Sequence, residues 1–85
     1  MPAEKAGRQS VKRYQRNRSV RTATRTAISK ALEAVESGDV LEAESKVLAA
    51  ISVLDRAARK GVLPKKNVAR RKSRIAARLG RLRQA

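Results

Sequence analysis

Apolar and small residues recur along this chain at helical spacing, in three stretches separated by short polar breaks. Within residues 20–35, six side chains share an arc of about 100° when each residue turns the helix by about 100°: Val20, Thr24, Ala27, Ile28, Ala31 and Val35. Residues 40–58 carry a narrower stripe, and Val68, Ile75, Leu79 and Leu82 form a third. Because this period is typical of α-helices, it predicts three of them. The predicted bounds are about 8–36, 40–60 and 65–82, with residues 1–7 as a flexible tail.

Both breaks carry residues that end one helix and begin the next. Gly38 suits the left-handed position after a helix, and Asp39 with Glu42 three residues later makes a capping-box pattern. Residues 60–61 supply a cation and then a glycine, and Pro64 can serve as the first residue of the third helix. Short connections favour antiparallel neighbours. The sequence therefore predicts an all-α fold, a three-helix up-down-up bundle with an extended basic N-terminal helix.

The size of the chain restricts it to one small domain, which we predict to span residues 1–85. Fifteen alanines favour closely packed helices, since Ala favours helix and adds little bulk. Large aliphatic side chains are few and Tyr14 is the only aromatic one, so the isolated fold is expected to be marginally stable.

Charge divides the chain into three blocks. Residues 1–30 carry a net +8, residues 31–55 carry −5 and residues 56–85 carry +12, which together give the net charge of +15. From Arg56 onward every charged side chain is Lys or Arg. A compact state with so much positive charge repels itself unless a polyanion neutralises it. The two basic ends therefore predict a polyanionic partner.

The third helix separates its cations from its aliphatic side chains. On a helical projection Lys66, Arg70 and Arg74 lie on the face opposite Ile75 and Val68. With no acid in this block, a phosphate-binding face is favoured over a merely solvated one. In the first half of the first helix, like charges at i, i+4 spacing weaken an isolated helix. That half is expected to be frayed when free and ordered when bound.

Catalysis and metal binding are disfavoured by the residue types present. The chain has no Cys and no His, so it lacks disulfides, thiolates, the usual zinc ligands and the usual general base. Most of its acids stand at helix ends, where helix electrostatics explains them. Asp55 lies beside the apolar stripe and is expected to bind an Arg of a neighbouring helix. We therefore predict no enzyme, no cofactor, no metal and no small-molecule substrate.

Two further features bear on location and on partner. No apolar run approaches the roughly 20 residues that span a bilayer, and the N-terminus lacks the apolar region of a secretory signal, so a cytoplasmic protein without a membrane partner is predicted. Tyr14 either is a packing residue, or stacks on an exposed base or rests on a sugar of the partner. No aromatic repeat supports a single-strand stacking platform.

Four stretches of the chain resemble a known family. They are RNRSVR at 16–21, RTAISK at 25–30, LDRAARKGVL at 54–63 and ARRKSRI at 69–75. In this order and around a Ser-Gly-Asp turn, they resemble the S20 family of bacterial small-subunit ribosomal proteins, over roughly residues 8–82. Two features depart from the family: Pro64 and Lys66 stand where a His and an Asn are common, and the segment before Arg8 is less rich in Lys.

The resemblance implies a three-helix bundle bound to 16S ribosomal RNA in the cytoplasmic ribosome, with a role in early assembly of the small subunit. Members of the family contact the 5′ domain of that RNA and the long helix of its 3′ minor domain. Bridging two RNA regions agrees with two basic blocks around a nearly neutralised middle.

The candidate RNA-binding residues come from the two basic blocks. Guanidinium forks suit phosphate oxygens, while Asn and Ser side chains add hydrogen bonds to sugars or phosphates. The predicted cationic contacts are Arg8, Lys12, Arg13, Arg16, Arg18, Arg21, Arg25, Lys65, Lys66, Arg70, Arg71, Lys72, Arg74, Arg78 and Arg81. The predicted polar contacts are Asn17, Ser19, Asn67 and Ser73.

Two other functional classes share the high positive charge. A nucleoid-associated protein that compacts DNA differs from an RNA-binding protein in preferring duplex DNA over structured RNA at moderate salt. A membrane-active amphipathic peptide would gain helix on anionic vesicles, but the basic arm lacks the Trp, Phe or Leu face that such helices insert.

Overall fold

Over residues 2–84, the fold consists of three helices joined by two short turns. A computed structural model describes the backbone of residues 2–84 and the side chains of residues 9–84. The helices are α1 (Pro2–Ser37), α2 (Val40–Arg59) and α3 (Lys65–Gln84), with no strand in the described range. The predicted all-α class is confirmed.

The helix ends differ from the predicted ones mainly at the N-terminus. Whereas the pattern predicts a start near residue 8, α1 begins at Pro2, and α2 and α3 end within two residues of their predicted ends. Met1 and the side chains of residues 2–8 lie outside the described residues, so the flexible tail stays a prediction.

The turn between α1 and α2 forms as its residues predict. Gly38 adopts a φ of 84°, in the left-handed region that glycine reaches without a steric penalty, and its N–H donates to the Val35 carbonyl at 3.2 Å. A carboxylate oxygen of Asp39 accepts from the Glu42 N–H at 3.2 Å, which makes Asp39 the N-cap of α2. The turn thus reverses the chain over two residues.

Removing this cap is expected to destabilise the bundle measurably. Asp39→Ala should lower the free energy of unfolding by about 1 kcal/mol, since an N–H of the first turn loses its acceptor. Asp39→Asn keeps an oxygen acceptor and serves as the control. Urea unfolding followed by circular dichroism measures both variants; equal stability of the two would contradict the assigned cap.

A Schellman-type turn ends α2. The N–H groups of Gly61 and Val62 donate to the carbonyls of Ala58 and Ala57 at 3.1 and 3.0 Å, and Gly61 has a φ of 74°. Pro64 stands just before α3, which begins at Lys65, and its carbonyl accepts from the Val68 N–H at 3.1 Å. Both predicted glycine positions are therefore confirmed.

Contacts between the helices establish the up-down-up order. Arg83 at the end of α3 pairs with Glu44 near the start of α2, and Lys72 in mid-α3 pairs with Asp55 further along α2. Since α2 numbers fall as α3 numbers rise, these helices are antiparallel. Residues 25–32 of α1 line a groove with residues 71–78 of α3, and a neighbouring depression joins Arg21 to Leu63 and Arg71, so the lower-numbered ends of both stretches lie together. The first and third helices are therefore parallel neighbours.

The core lies where α2 packs between the other two helices. Its most enclosed large side chains are Leu54 and Val47 on α2, together with Thr24 on α1, whose hydroxyl donates to the Val20 carbonyl at 2.8 Å. The predicted α3 stripe is confirmed, with Val68, Ile75 and Leu79 buried. Of the predicted α2 stripe, Val47 and Leu54 are buried, whereas Val40, Ile51 and Ala58 are half-buried. The buried face of α2 also includes Ala43, Ala50 and Ala57. Alanines at these positions allow close approach of the helices.

The N-terminal half of α1 extends beyond the bundle. With 36 residues against 20 in each of the other helices, α1 is about 54 Å long, and the molecule measures 62 × 21 × 13 Å. Side chains 9–16 are all exposed, including Tyr14 at 66%. Tyr14 therefore does not pack in the core, and the stacking alternative stays a prediction. In the described part of the chain, no helix is both long and apolar enough to cross a bilayer.

Candidate nucleic-acid interface

Arginines from two separate basic blocks meet in a groove between α1 and α3. Arg25 on α1 faces Arg71, Arg74 and Arg78 on α3, which follow one another at three- and four-residue spacing. Three- and four-residue steps return to the same side of a helix, so the α3 arginines form one row. The cavity between Arg25 and this α3 row measures about 320 Å³.

A smaller depression continues this surface toward the α2–α3 turn. It measures about 120 Å³, shares Arg25 and Arg71 with the first cavity and adds Arg21. Together the two depressions form one cationic strip, which we call the arginine groove: Arg21, Arg25, Arg71, Arg74 and Arg78.

The guanidinium groups of the arginine groove are available to a ligand. All five side chains are exposed, and none forms an ion pair with an acid among residues 9–84. Within the same described range, no acidic side chain lines either depression. Five uncompensated cations on one strip create a positive potential that attracts phosphate groups.

The floor of the arginine groove is apolar. Ile75 is buried there, while Ile28 and Leu32 from α1 are half-buried and remain partly open to solvent. Ile28 belongs to the apolar arc predicted over residues 20–35 and Ile75 to the predicted α3 stripe, whereas Leu32 lies just outside that arc. The spacing of Leu32, four residues after Ile28 and seven after Arg25, is the signal that places it on the same side of α1.

Lys72 lies on the other side of α3. Its Nζ donates to an Asp55 carboxylate oxygen at 2.8 Å, so Asp55 binds a Lys and not the predicted Arg. In the same way Arg83 Nε donates to Glu44 at 2.9 Å. Both pairs are partly exposed, and each tethers α3 to α2 while neutralising one cation. Lys72 is therefore not brought together with the arginine groove, and its predicted phosphate contact stays a prediction.

A second and larger groove, between α2 and α3, is a weaker candidate for a polyanion. It measures about 670 Å³ and has Leu48, Ile51 and Val68 among its lining residues. The Lys72–Asp55 pair lies in it, so one of its cations is already neutralised by a carboxylate. The larger volume therefore does not identify the phosphate site. The arginine groove is favoured because no acid among the described side chains lines it.

The other predicted contacts are spread around the molecule. The Arg8 side chain lies outside the described residues. The N-terminal half of α1, which we call its overhanging half, carries the exposed side chains of Lys12, Arg13, Arg16, Arg18 and Ser19. Outside the arginine groove, α3 carries the exposed side chains of Lys65, Lys66, Arg70, Ser73 and Arg81. They extend the positive surface without converging on one site.

Two predicted polar contacts are half-buried asparagines. The Oδ1 atoms of Asn17 and Asn67 are enclosed and accept no hydrogen bond from the described residues. Such an enclosed acceptor carries a desolvation cost. An amide oriented in this way has only its NH₂ group to offer a ligand outside, and that group is a donor suited to phosphate or sugar oxygens.

Metal chemistry gains no support from the side chains that the structure describes. Among them, no three His, Cys, Asp or Glu groups lie close enough together to hold an ion. The arrangement is that of a cationic docking surface with an apolar floor.

Comparison with known proteins agrees with the family resemblance noted in the sequence. The family model for ribosomal protein S20 matches residues 2–80. The small ribosomal subunit protein bS20 of Thermomicrobium roseum is 51% identical over 81 residues, covering 94% of this chain and 81% of the relative. That of Laribacter hongkongensis is 45% identical over 75 residues, covering 88% and 86%. That of Hydrogenovibrio crunogenus is 47% identical over 77 residues, covering 91% and 88%.

Proposed function

Because the chain belongs to the S20 family of ribosomal proteins, we propose that it is a structural constituent of the small ribosomal subunit that binds 16S ribosomal RNA directly. It acts in the cytoplasm as a ribosomal component, and it is not an enzyme. The observation that carries direct RNA binding is the convergence of arginines from α1 and α3 on one strip, which no acid among the described side chains lines. The whole chain works as a single RNA-binding domain.

The arginine groove binds RNA through its phosphates. Each guanidinium group is planar and offers paired N–H donors that match two phosphate oxygens, which an ammonium group cannot do. Double-stranded RNA hides its base edges in a deep, narrow groove, so the protein recognises the shape of the folded RNA more than its sequence. Arginines held on two rigid helices keep a fixed spacing and select RNA whose phosphates match it.

The overhanging half of α1 supplies a second contact region. Its exposed cations Lys12, Arg13, Arg16 and Arg18 lie in the N-terminal half of a helix about 54 Å long, away from the Gly38 turn. An arm of this length reaches an RNA segment that the bundle does not touch. We assign the 5′ domain and the long helix of the 3′ minor domain as the two segments, on the strength of the family resemblance.

RNA binding also stabilises the protein. A chain with a net charge of +15 is destabilised by self-repulsion, and a ligand that binds only the folded state raises its stability. A polyanion bound in the arginine groove reduces the self-repulsion and also stabilises the folded state as its ligand. This coupling suits a protein that joins the RNA early in subunit assembly.

Salt should weaken the complex steeply. If about ten phosphates are neutralised, log affinity should fall against log salt with a slope of about −7 to −9. Filter binding to 16S ribosomal RNA over a range of potassium chloride concentrations measures the slope. A slope near zero would exclude phosphate contacts as the main source of affinity.

Sedimentation through a sucrose gradient tests the function as a whole. Tagged protein should travel with the small ribosomal subunit and should stay with it when DNA is digested. The family assignment does not favour the DNA-compacting alternative, which predicts migration with the nucleoid and release by DNase. Protein remaining at the top of the gradient would contradict ribosomal association.

A further inference from the structure

We propose that the arginine groove holds one unstacked RNA nucleotide, with its base against the apolar floor and its phosphates on the arginines. This inference rests on the proposed RNA-binding function and specifies the form of RNA that the groove takes. The groove then binds a bulged or flipped-out nucleotide of the RNA and not a continuous duplex backbone.

The floor of the groove is the first reason. Phosphate binding requires cations, and it gains nothing from the exposed apolar surface of Ile28 and Leu32 beside Ile75. A duplex presents phosphates and sugars on its outside and keeps its bases stacked inside, so it would leave this floor in water. The flat face of an unstacked base covers it, and burial of apolar surface is favourable.

The size and walls of the groove are the second reason. Its volume of about 320 Å³ falls at the small end of the range for small-molecule sites, roughly 300–1,000 Å³, and a single nucleotide belongs to that size class. Arginine guanidinium planes stack on unpaired bases as well as binding phosphates. Arg25 on one wall and Arg74 on the other flank the floor from opposite helices. The same residues thus serve both parts of a nucleotide.

Charge complementarity selects this occupant over an apolar protein segment. A hydrophobic helix or strand would cover the floor, but it would leave Arg25, Arg71, Arg74 and Arg78 without a counter-charge. A second copy of the chain brings a further +15 and is repelled. An RNA nucleotide supplies an apolar face and negative charge together.

The test compares three RNA hairpins that share one stem. The first has a single unpaired adenosine in one strand, the second is fully paired, and the third has an abasic residue at the unpaired position. Full-length protein is titrated into each at moderate salt, and fluorescence anisotropy gives the dissociation constants. The bulged hairpin should bind about tenfold more tightly than either of the others, which corresponds to covering the floor with one base face.

Two serine variants locate the base. Ser29 is exposed and lines the arginine groove, while Ser52 is exposed and lines the α2–α3 groove. Leu favours helix at least as well as Ser, so neither substitution should unfold its helix, and far-ultraviolet circular dichroism verifies this. Ser29→Leu fills the groove and should reduce the tenfold preference for the bulged hairpin to about one. Ser52→Leu should leave that preference unchanged.

Each other result overturns the proposal in a distinguishable way. If all three hairpins bind with equal and strongly salt-dependent affinity, the proposed nucleotide site is contradicted, while the proposed phosphate binding is not. An abasic hairpin that binds as tightly as the bulged one shows that backbone flexibility is recognised and not the base. A preference that survives Ser29→Leu puts the base elsewhere. Absence of binding to every hairpin and to 16S ribosomal RNA contradicts the nucleotide site and the proposed function together.

Discussion

Replacing Arg71, Arg74 and Arg78 together by Gln is expected to weaken binding to 16S ribosomal RNA on the order of a hundredfold at about 0.1 M salt. These three residues form the α3 row of the arginine groove and have no acidic partner among the described side chains. Gln keeps the length and most of the helix propensity of the position but removes the charge. The slope of log affinity against log salt should shrink by about 2 to 3.

A matched triple variant controls for net charge. The control carries Arg56→Gln, Arg59→Gln and Lys60→Gln. These substitutions remove the same number of positive charges, but from the end of α2 and outside the arginine groove. We expect less than about a fivefold loss, because charges that do not line the groove make no direct phosphate contact there and act only through a field that is screened over roughly 10 Å at this salt. Filter binding measures both variants, and circular dichroism verifies their helicity. Equal losses would mean that total charge, and not the groove, determines affinity.

Leu54→Ala should have the largest effect on folding. Leu54 is 0% exposed and lies on the α2 stripe between the other two helices. Removing a fully buried Leu side chain costs about 2–5 kcal/mol, from lost apolar burial and from the cavity left behind. A small domain has little stability in reserve, so the free variant should lose its cooperative thermal transition.

Leu48→Ala is the matched control, since Leu48 on the same helix is 67% exposed. Its unfolding free energy should stay within about 0.5 kcal/mol of the parent. Added 16S ribosomal RNA should restore part of the helical signal of Leu54→Ala, because the ligand binds only the folded state. Thermal melts with and without RNA measure both effects. An unchanged melting curve for Leu54→Ala would contradict the assigned core.

The sequence predicted the helices because strong local signals stand at their ends. Gly38, Asp39 and Gly61 act through the backbone of their own turn, with positive φ angles and a capping hydrogen bond that depend little on the rest of the fold. The α3 stripe could also be predicted from the sequence, since Val68, Ile75 and Leu79 are large aliphatic residues at one helical phase.

The helical period says which side a residue occupies but not which neighbour it meets. For this reason the meeting of Arg25 with the α3 arginines, across 46 or more residues of chain, was not predicted. For the same reason the predicted Arg partner of Asp55 was wrong. The partner is Lys72, and Lys72 lies within one helical turn of several arginines, which the helical period does not distinguish from it. The buried alanines of α2 were missed because their side chains carry little hydrophobic signal, although close helix packing requires them.

The most direct test of the RNA interface is hydroxyl-radical cleavage from two positions. The chain has no Cys, so Thr22→Cys and Ser45→Cys each give one attachment point for an iron chelate. Thr22 is exposed on α1 one turn before Arg25, and Ser45 is exposed on α2 at a helical phase opposite the buried Ala43. In reconstituted small subunits, position 22 should cut 16S ribosomal RNA strongly at discrete sites, and position 45 should cut it weakly. Stronger cleavage from position 45 would show that the RNA lies on the α2 face and would contradict binding through the arginine groove.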